Sequence, residues 1–173
     1  MSIPTQTRIR HFHPADVGPL RQLICATIDV SYSSVYPPRA VEFFKEFHAE
    51  QKILERGQTG TVLVAEANGK RIATGSLVDG EIFAVFVHPD YQRAGLGKTL
   101  MRMLEDQALA TGVIEAVLSV SLPSKRFYEG LGYEIVQACS KDVGDGQTLD
   151  FWKAKKRLIG DVQQELEDGT PSI

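Results

Sequence analysis

The stretch QRAGLGKT, Gln92–Thr99, stands between an apolar run, EIFAVFV (Glu81–Val87), and a segment whose apolar residues Leu96, Leu100, Met103, Leu104 and Ala108 recur at helical spacing. A Gly-rich turn that leaves a strand and opens a helix offers successive backbone N–H groups to phosphate oxygens. Its right-hand end, Gly97-Lys98-Thr99, matches a nucleotide-binding P-loop, but the first glycine of that pattern would fall at Gln92. A dinucleotide fingerprint built on Gly95 and Gly97 fails in the same way at Leu100. What remains is Gln92-x-x-Gly95-x-Gly97, at the end of a strand and the start of a helix.

Outward from this turn, the chain alternates strand and helix signals. EIFAVFV is apolar on both faces and suits a central strand. Before it, TVLVAEA and RIATGSLV flank Asn68-Gly69 and form a hairpin. Thr7–Phe12 suits a first strand, and Pro14-Ala15-Asp16 opens a helix carrying Val17, Leu20, Leu23, Ile24, Thr27 and Ile28 on one face. SYSSVYPP breaks that pattern, and Pro38–Glu50 forms a second helix. After the stop at Thr111-Gly112 come VIEAVLSV as a strand, Pro123–Leu131 as a short helix, then YEIVQAC and TLDFWKA as strands. The expected fold is α/β (α+β), a mixed sheet of about six or seven strands with about four helices.

The 173 residues are 43% hydrophobic and 24% charged, which suits one domain with its core over about 7–155 and a polar tail over 157–173. A net charge of −3 argues against broad capture of nucleic acid or an anionic membrane. The short basic run KAKKR, Lys153–Arg157, suits a solvated strand end. Cys25 and Cys139 have neither disulfide-framework nor zinc-ligand spacing, and His11, His13, His48 and His88 lack metal-motif spacing, so no metal is expected. Met1–Leu20 has no apolar signal-peptide core, and the expectation is a soluble, cytoplasmic protein.

Together, GEIFAVFVHPDYQRAGLGKTLMRMLE and PSKRFYEGLGYEIV resemble the linked motifs of the GNAT superfamily of acyl-CoA-dependent N-acetyltransferases, and IRHFHPADVGPLRQLI resembles that family's first strand and helix. The resemblance runs over roughly residues 7–155 in family order. It implies acetyl-CoA as co-substrate, with its pyrophosphate on the backbone of Gln92, Arg93, Ala94, Gly95, Leu96, Gly97 and Lys98. It also implies that the strand Phe83–Val87 is splayed from a parallel neighbour, leaving main-chain groups of Val85 and Val87 for the pantetheine arm. Where relatives carry Asn-Ala near the following helix, this chain has Pro123 and Ser124, and a cofactor contact passes to Ser124 or to water.

Acyl transfer from a thioester to an amine needs a neutral amine, a stabilised oxyanion and a proton for the leaving thiolate. The resemblance makes Tyr128, in Phe127-Tyr128 followed by Gly132-Tyr133, the proton donor; the alternative is an aromatic packed in the core. It makes Glu81 the base, directly or through water; the alternative is an exposed acid after the Asp79-Gly80 turn. The backbone N–H of Val87 is the candidate for polarising the thioester oxygen. Tyr32, Tyr36, Phe43, Phe44 and the segment Ser140–Gln147 are candidate walls for the acceptor, although Phe43, Phe44 and Phe47 also suit a helix core face. The activity implied is acetyl transfer to a primary amine of a small or amino-acid-like molecule, with a protein or peptide acceptor and a non-catalytic acyl-CoA-binding module as alternatives. A monomer and a homodimer are both compatible with the sequence.

Overall fold

Asn68-Gly69, Asp79-Gly80 and Asp145-Gly146 all adopt positive φ, 50 and 75°, 50 and 80°, 54 and 67°. Positive φ at both central residues is what a tight hairpin requires, because its twist matches that of the flanking strands. These turns join β2 (Thr61–Ala67), β3 (Lys70–Val78) and β4 (Glu81–Val87) into one meander, and β6 (Glu134–Gly144) to β7 (Gln147–Arg157). The structure is a computed structural model that describes Pro4 and residues 6–158. Its remaining elements are β1 (Arg8–His11), α1 (Val17–Ser31) after a 3-10 turn at Pro14–Asp16, α2 (Pro38–Phe47), α3 (Glu50–Thr59), α4 (Leu96–Ala110), β5 (Glu115–Ser121) and α5 (Lys125–Gly130).

The seven strands of the described residues form two antiparallel sheets, β1-β2-β3-β4 and β5-β7-β6, which part at the splay between β4 and β5 that the family resemblance implies. β4 and β5 lie alongside each other, joined through α4 by the kind of crossover parallel neighbours require, but no ladder links them. Alternation along β2 divides the core: Val62 and Val64 pack with Leu20, Leu23, Ile24 and Ile28 of α1, whereas Leu63, Ala65 and Ala67 pack with Leu100, Leu104 and Ala108 of α4. The first sheet is therefore covered on both faces. On α4 the buried stripe takes Met101, fully enclosed, in place of Met103, which is 39% exposed. Spacing alone leaves that choice open, because both lie next to the stripe.

Three further boundaries differ from the sequence expectation. The second helix ends at Phe47, and α3 follows it as a separate element. EQKILERGQT shows little periodicity because α3 buries only Ile53 and Arg56. β6 and β7 run to Gly144 and from Gln147, so Ser140–Gln147 is mostly paired strand rather than loop. Lys153–Arg157 completes β7, with Lys153 donating to Ser119, Lys155 beside Glu115 and Lys156 beside Glu105. Leu158 follows it into the core, and the rest of the polar tail lies outside the described residues. Among the described residues no helix is long and apolar enough to cross a membrane.

Asp16 ties the entry of α1 to the sheet. Its carboxylate is fully buried and accepts from Arg10 Nη1 at 2.7 Å, Arg71 Nε at 2.8 Å and the His13 backbone N–H at 2.8 Å. Hydrogen bonding from Arg10, opposed by burial, holds this carboxyl well below the usual carboxylate range. The stabilisation is thus complete above about pH 4 and is lost only as pH falls through the depressed folded-state value. Asp16→Asn should cost about 2–3 kcal/mol in urea denaturation at neutral pH, and the wild type and the variant should converge in strong acid.

Candidate active site

β4 changes face at Ala84. Ile82 packs on the α4 side, yet Ala84 and Phe86 pack on the α1 side and Val85 and Val87 on the α4 side. The phase slips by one residue because Ala84 has φ 55° and the β3 register jumps between Thr74 and Ser76. This bulge presents Phe83, Ala84, Val85 and Phe86 to a cavity of about 270 Å³ between the two sheets. Among the described residues β4 pairs only with β3, and β5 only with β7, so each leaves one edge facing the gap.

At the far end of β4 stands the Gly-rich turn. From Arg93 to Lys98 no backbone N–H has an acceptor among the described residues, and no side chain caps the helix at Gly95. Arg93 has φ 62° and Gly95 φ 85°, the alternating conformation that turns successive amides inward as an anion nest. A Cβ at Gly95 would meet nothing within 4 Å, so its space is open. A Cβ at Gly97 would lie 3.2 Å from the Phe127 ring and 3.5 Å from Val87. Gly97 is therefore needed for close packing of α4, and Gly95 for backbone conformation beside open space. A pyrophosphate fits this cradle of unpaired donors.

Gln92 behaves differently from its neighbours. Its side chain donates to Val87 O at 2.9 Å and its backbone N–H to Pro89 O, so the backbone donor is spent inside the protein. It fastens the turn to the strand end and leaves the Val87 carbonyl engaged. Leu96 is buried and contributes only its backbone, while Lys98 is exposed. Thr99 Oγ1 donates to Gly95 O at 3.1 Å, an ordinary bond of the first helical turn.

Tyr128 lines the cavity and is nearly buried. Its hydroxyl has no partner among the described residues, yet no buried side-chain polar atom is left unsatisfied, so the O–H opens into the cavity. Burial, reinforced by nearby Tyr32, raises its pKa and keeps it a neutral donor. Ser124 and Ser121 share a 2.8 Å hydrogen bond, and Ser121 donates to Tyr32 Oη at 3.0 Å, which leaves the Tyr32 proton free to point elsewhere. Burial raises the Tyr32 pKa, against hydrogen bonds from Ser121 and Ser124.

Tyr32, Phe43 and Phe44 line the cavity as expected, joined by Phe47, but Tyr36 does not. Its hydroxyl accepts from the Leu122 N–H and donates to Asp150 O, both at 2.8 Å, and it braces the wall from behind. Of Ser140–Gln147 only Lys141 reaches the cavity. Glu81 is exposed at the start of β4, opposite Val78, and does not line it. Nothing in the sequence marks His48, Phe83, Ser119 or Phe151 as lining residues, because their convergence depends on the bulge and on the sheet gap.

His48 is buried at the end of α2 and lies 3.0 Å from Arg56 Nη1. Arg56 can only donate, so Nδ1 accepts and the imidazole proton sits on Nε2. Burial, with Arg56 and Arg21 nearby, holds the His48 pKa down to about 3.

The fold is that of N-acetyltransferases. The GCN5-related N-acetyltransferase of Rhodopseudomonas palustris superposes with a TM-score of 0.81 at 24% identity, over 91% of this chain and 99% of that one. PaiA N-acetyltransferase of Thermoplasma acidophilum, in complex with coenzyme A, gives 0.72 at 20% identity, over 88% and 99%. In sequence, the chain is 24% identical to the uncharacterised N-acetyltransferase YafP of Escherichia coli (strain K12) over 130 residues, 75% of this chain and 83% of that protein. Residues 24–133 match the Acetyltransferase (GNAT) family, and the chain belongs to it.

A folded-state His48 value of about 3 against an unfolded 6.5 means that only the unfolded chain takes up this proton between those limits. Stability should therefore fall with acid by about 1 kcal/mol per pH unit from about pH 6 to about pH 4. His48→Gln should flatten that slope in denaturation curves collected across this range.

Proposed function

We propose that the protein transfers the acetyl group of acetyl-CoA directly to a primary amine of a small, amino-acid-like acceptor. The observation that carries this reading is the conjunction of three features: amides from Arg93 to Lys98 and edges of β4 and β5 that are unpaired among the described residues, and a cavity lined by Tyr128. Coenzyme A bound to the PaiA neighbour supports the donor.

In this scheme the turn amides and the positive end of α4 hold the pyrophosphate, with Arg93 and Lys98 adding charge. Exposed main-chain groups near Val85 and Val87 hold the pantetheine arm in the manner of an added strand. The Val87 N–H polarises the thioester oxygen, and Ser124 hydrogen-bonds the donor. As the amine nitrogen bonds to the carbonyl carbon and the C–S bond breaks, the Tyr128 O–H supplies the proton the thiolate needs. The amine loses its proton to water and Glu81; that carboxylate begins about 7 Å of strand before Phe83 and acts through solvent. A cavity of about 270 Å³ with aromatic walls favours a small acceptor over an extended peptide.

Tyr128→Phe should lower kcat by about 100-fold and leave coenzyme A affinity unchanged in calorimetric titration. Full turnover by this variant would remove the phenol from the mechanism. Gly95→Leu combines a left-handed backbone penalty of about 1–2 kcal/mol with a side chain in the space assigned to pyrophosphate. It should abolish the rise in Tm that coenzyme A produces, and a retained rise would contradict the assignment.

A further inference from the structure

The His48 Nε2–H has no acceptor among the described residues, although the residue is only 4% exposed. No sealed side-chain polar atom lacks a partner, so this donor opens into the cavity that His48 lines. Behind it Arg56 is 7% exposed, held by Phe47 O at 2.7 Å and by the faces of Phe47 and Phe83 at 5.3 and 5.0 Å. Among the described residues neither Arg56 nor Lys141, whose ammonium sits 5.2 Å over the Phe43 ring, has a carboxylate within salt-bridge distance.

Among the described residues no Asp or Glu lines the cavity. Its acceptor end therefore combines a positive field, a fixed N–H donor and aromatic walls. A second cation on the acceptor would find no counter-charge there, whereas an anionic group would find both charge and a hydrogen bond. His48 touches Phe86 at 5.0 Å, and Phe86 faces Tyr32 at 6.4 Å, so about one ring's width separates the donor from the tyrosine end of the cavity.

Building on the N-acetyltransferase reading above, we infer that the acceptor is an amine carrying a carboxylate across an aromatic or apolar body. The carboxylate accepts from His48 Nε2–H, the body lies against the rings of Phe43, Phe47 and Phe83, and the amine projects toward Tyr128. Arg56 is a positioning residue: it fixes the His48 tautomer and supplies charge without touching the acceptor.

The test compares amino acids whose amine and carboxylate lie at opposite ends with their decarboxylated counterparts: 4-(aminomethyl)benzoate with benzylamine, and 6-aminohexanoate with pentylamine. Spermidine serves as the polycationic control, and thiol release from acetyl-CoA is followed. At least one acid should exceed its counterpart in kcat/KM by about tenfold or more. His48→Gln can still accept from Arg56 and donate into the cavity, so it should keep that ratio. His48→Glu should pair with Arg56 and bring the ratio to one or below. Lys141→Met, at an exposed site, should lower the ratio with no change in the KM for acetyl-CoA. Ratios near one in the wild type, or preference for spermidine, would overturn this inference and leave the acetyltransferase reading standing. Absence of turnover with every amine would instead count against that reading. Calorimetric titration of the same pairs into the coenzyme A-saturated protein then decides the carboxylate preference alone, and equal affinities would sink it.

Discussion

The unpaired edge between β4 and β5 is the constraint on which the site depends. Two strands brought side by side by a helical crossover would ordinarily close a ladder, because idle backbone donors and acceptors are costly in a protein interior. Here the second sheet is completed from the other direction: β7 inserts between β5 and β6 and takes the one edge of β5 that pairs. The Ala84 bulge turns β4 so that its side chains line the opening.

Within this frame the glycines divide their work. Gly95 supplies a left-handed conformation beside open space, and Gly97 supplies close contact with Phe127 and Val87. That contact packs α4 against α5, the helix that carries Tyr128. The turn and the proposed acid are thus mechanically joined, and Gln92 secures the arrangement to the strand end through the Val87 carbonyl.

The acceptor side is built on another principle. A nearly buried guanidinium is costly, and Arg56, which has no carboxylate partner among the described residues, is surrounded by two aromatic faces, a carbonyl and the His48 ring. Its donation to Nδ1 sets the His48 tautomer. Asp16 meets the opposite situation, a buried carboxylate saturated by Arg10, Arg71 and a backbone N–H, and its effect is purely to fasten α1 to the sheet.

Local chemistry in the sequence determined the tight turns, the strands they join, the helix opened by Gly95 and the family, since each follows from residue types at fixed short spacing. It also sufficed to exclude a P-loop, because Gln92 and Leu100 stand where glycine is obligatory. Tyr128, Tyr32, Phe43 and Phe44 could be named as candidates, and all line the cavity. The family resemblance also anticipated the splay of β4 from β5. Only the tertiary structure decided the phase slip at Ala84, the separate helix α3, the choice of Met101 over Met103, and the removal of Tyr36 and most of Ser140–Gln147 from the cavity wall. The reason is physical: a non-glycine bulge and an Arg–His contact arise from competition among distant segments, and neither leaves a periodic trace in the chain.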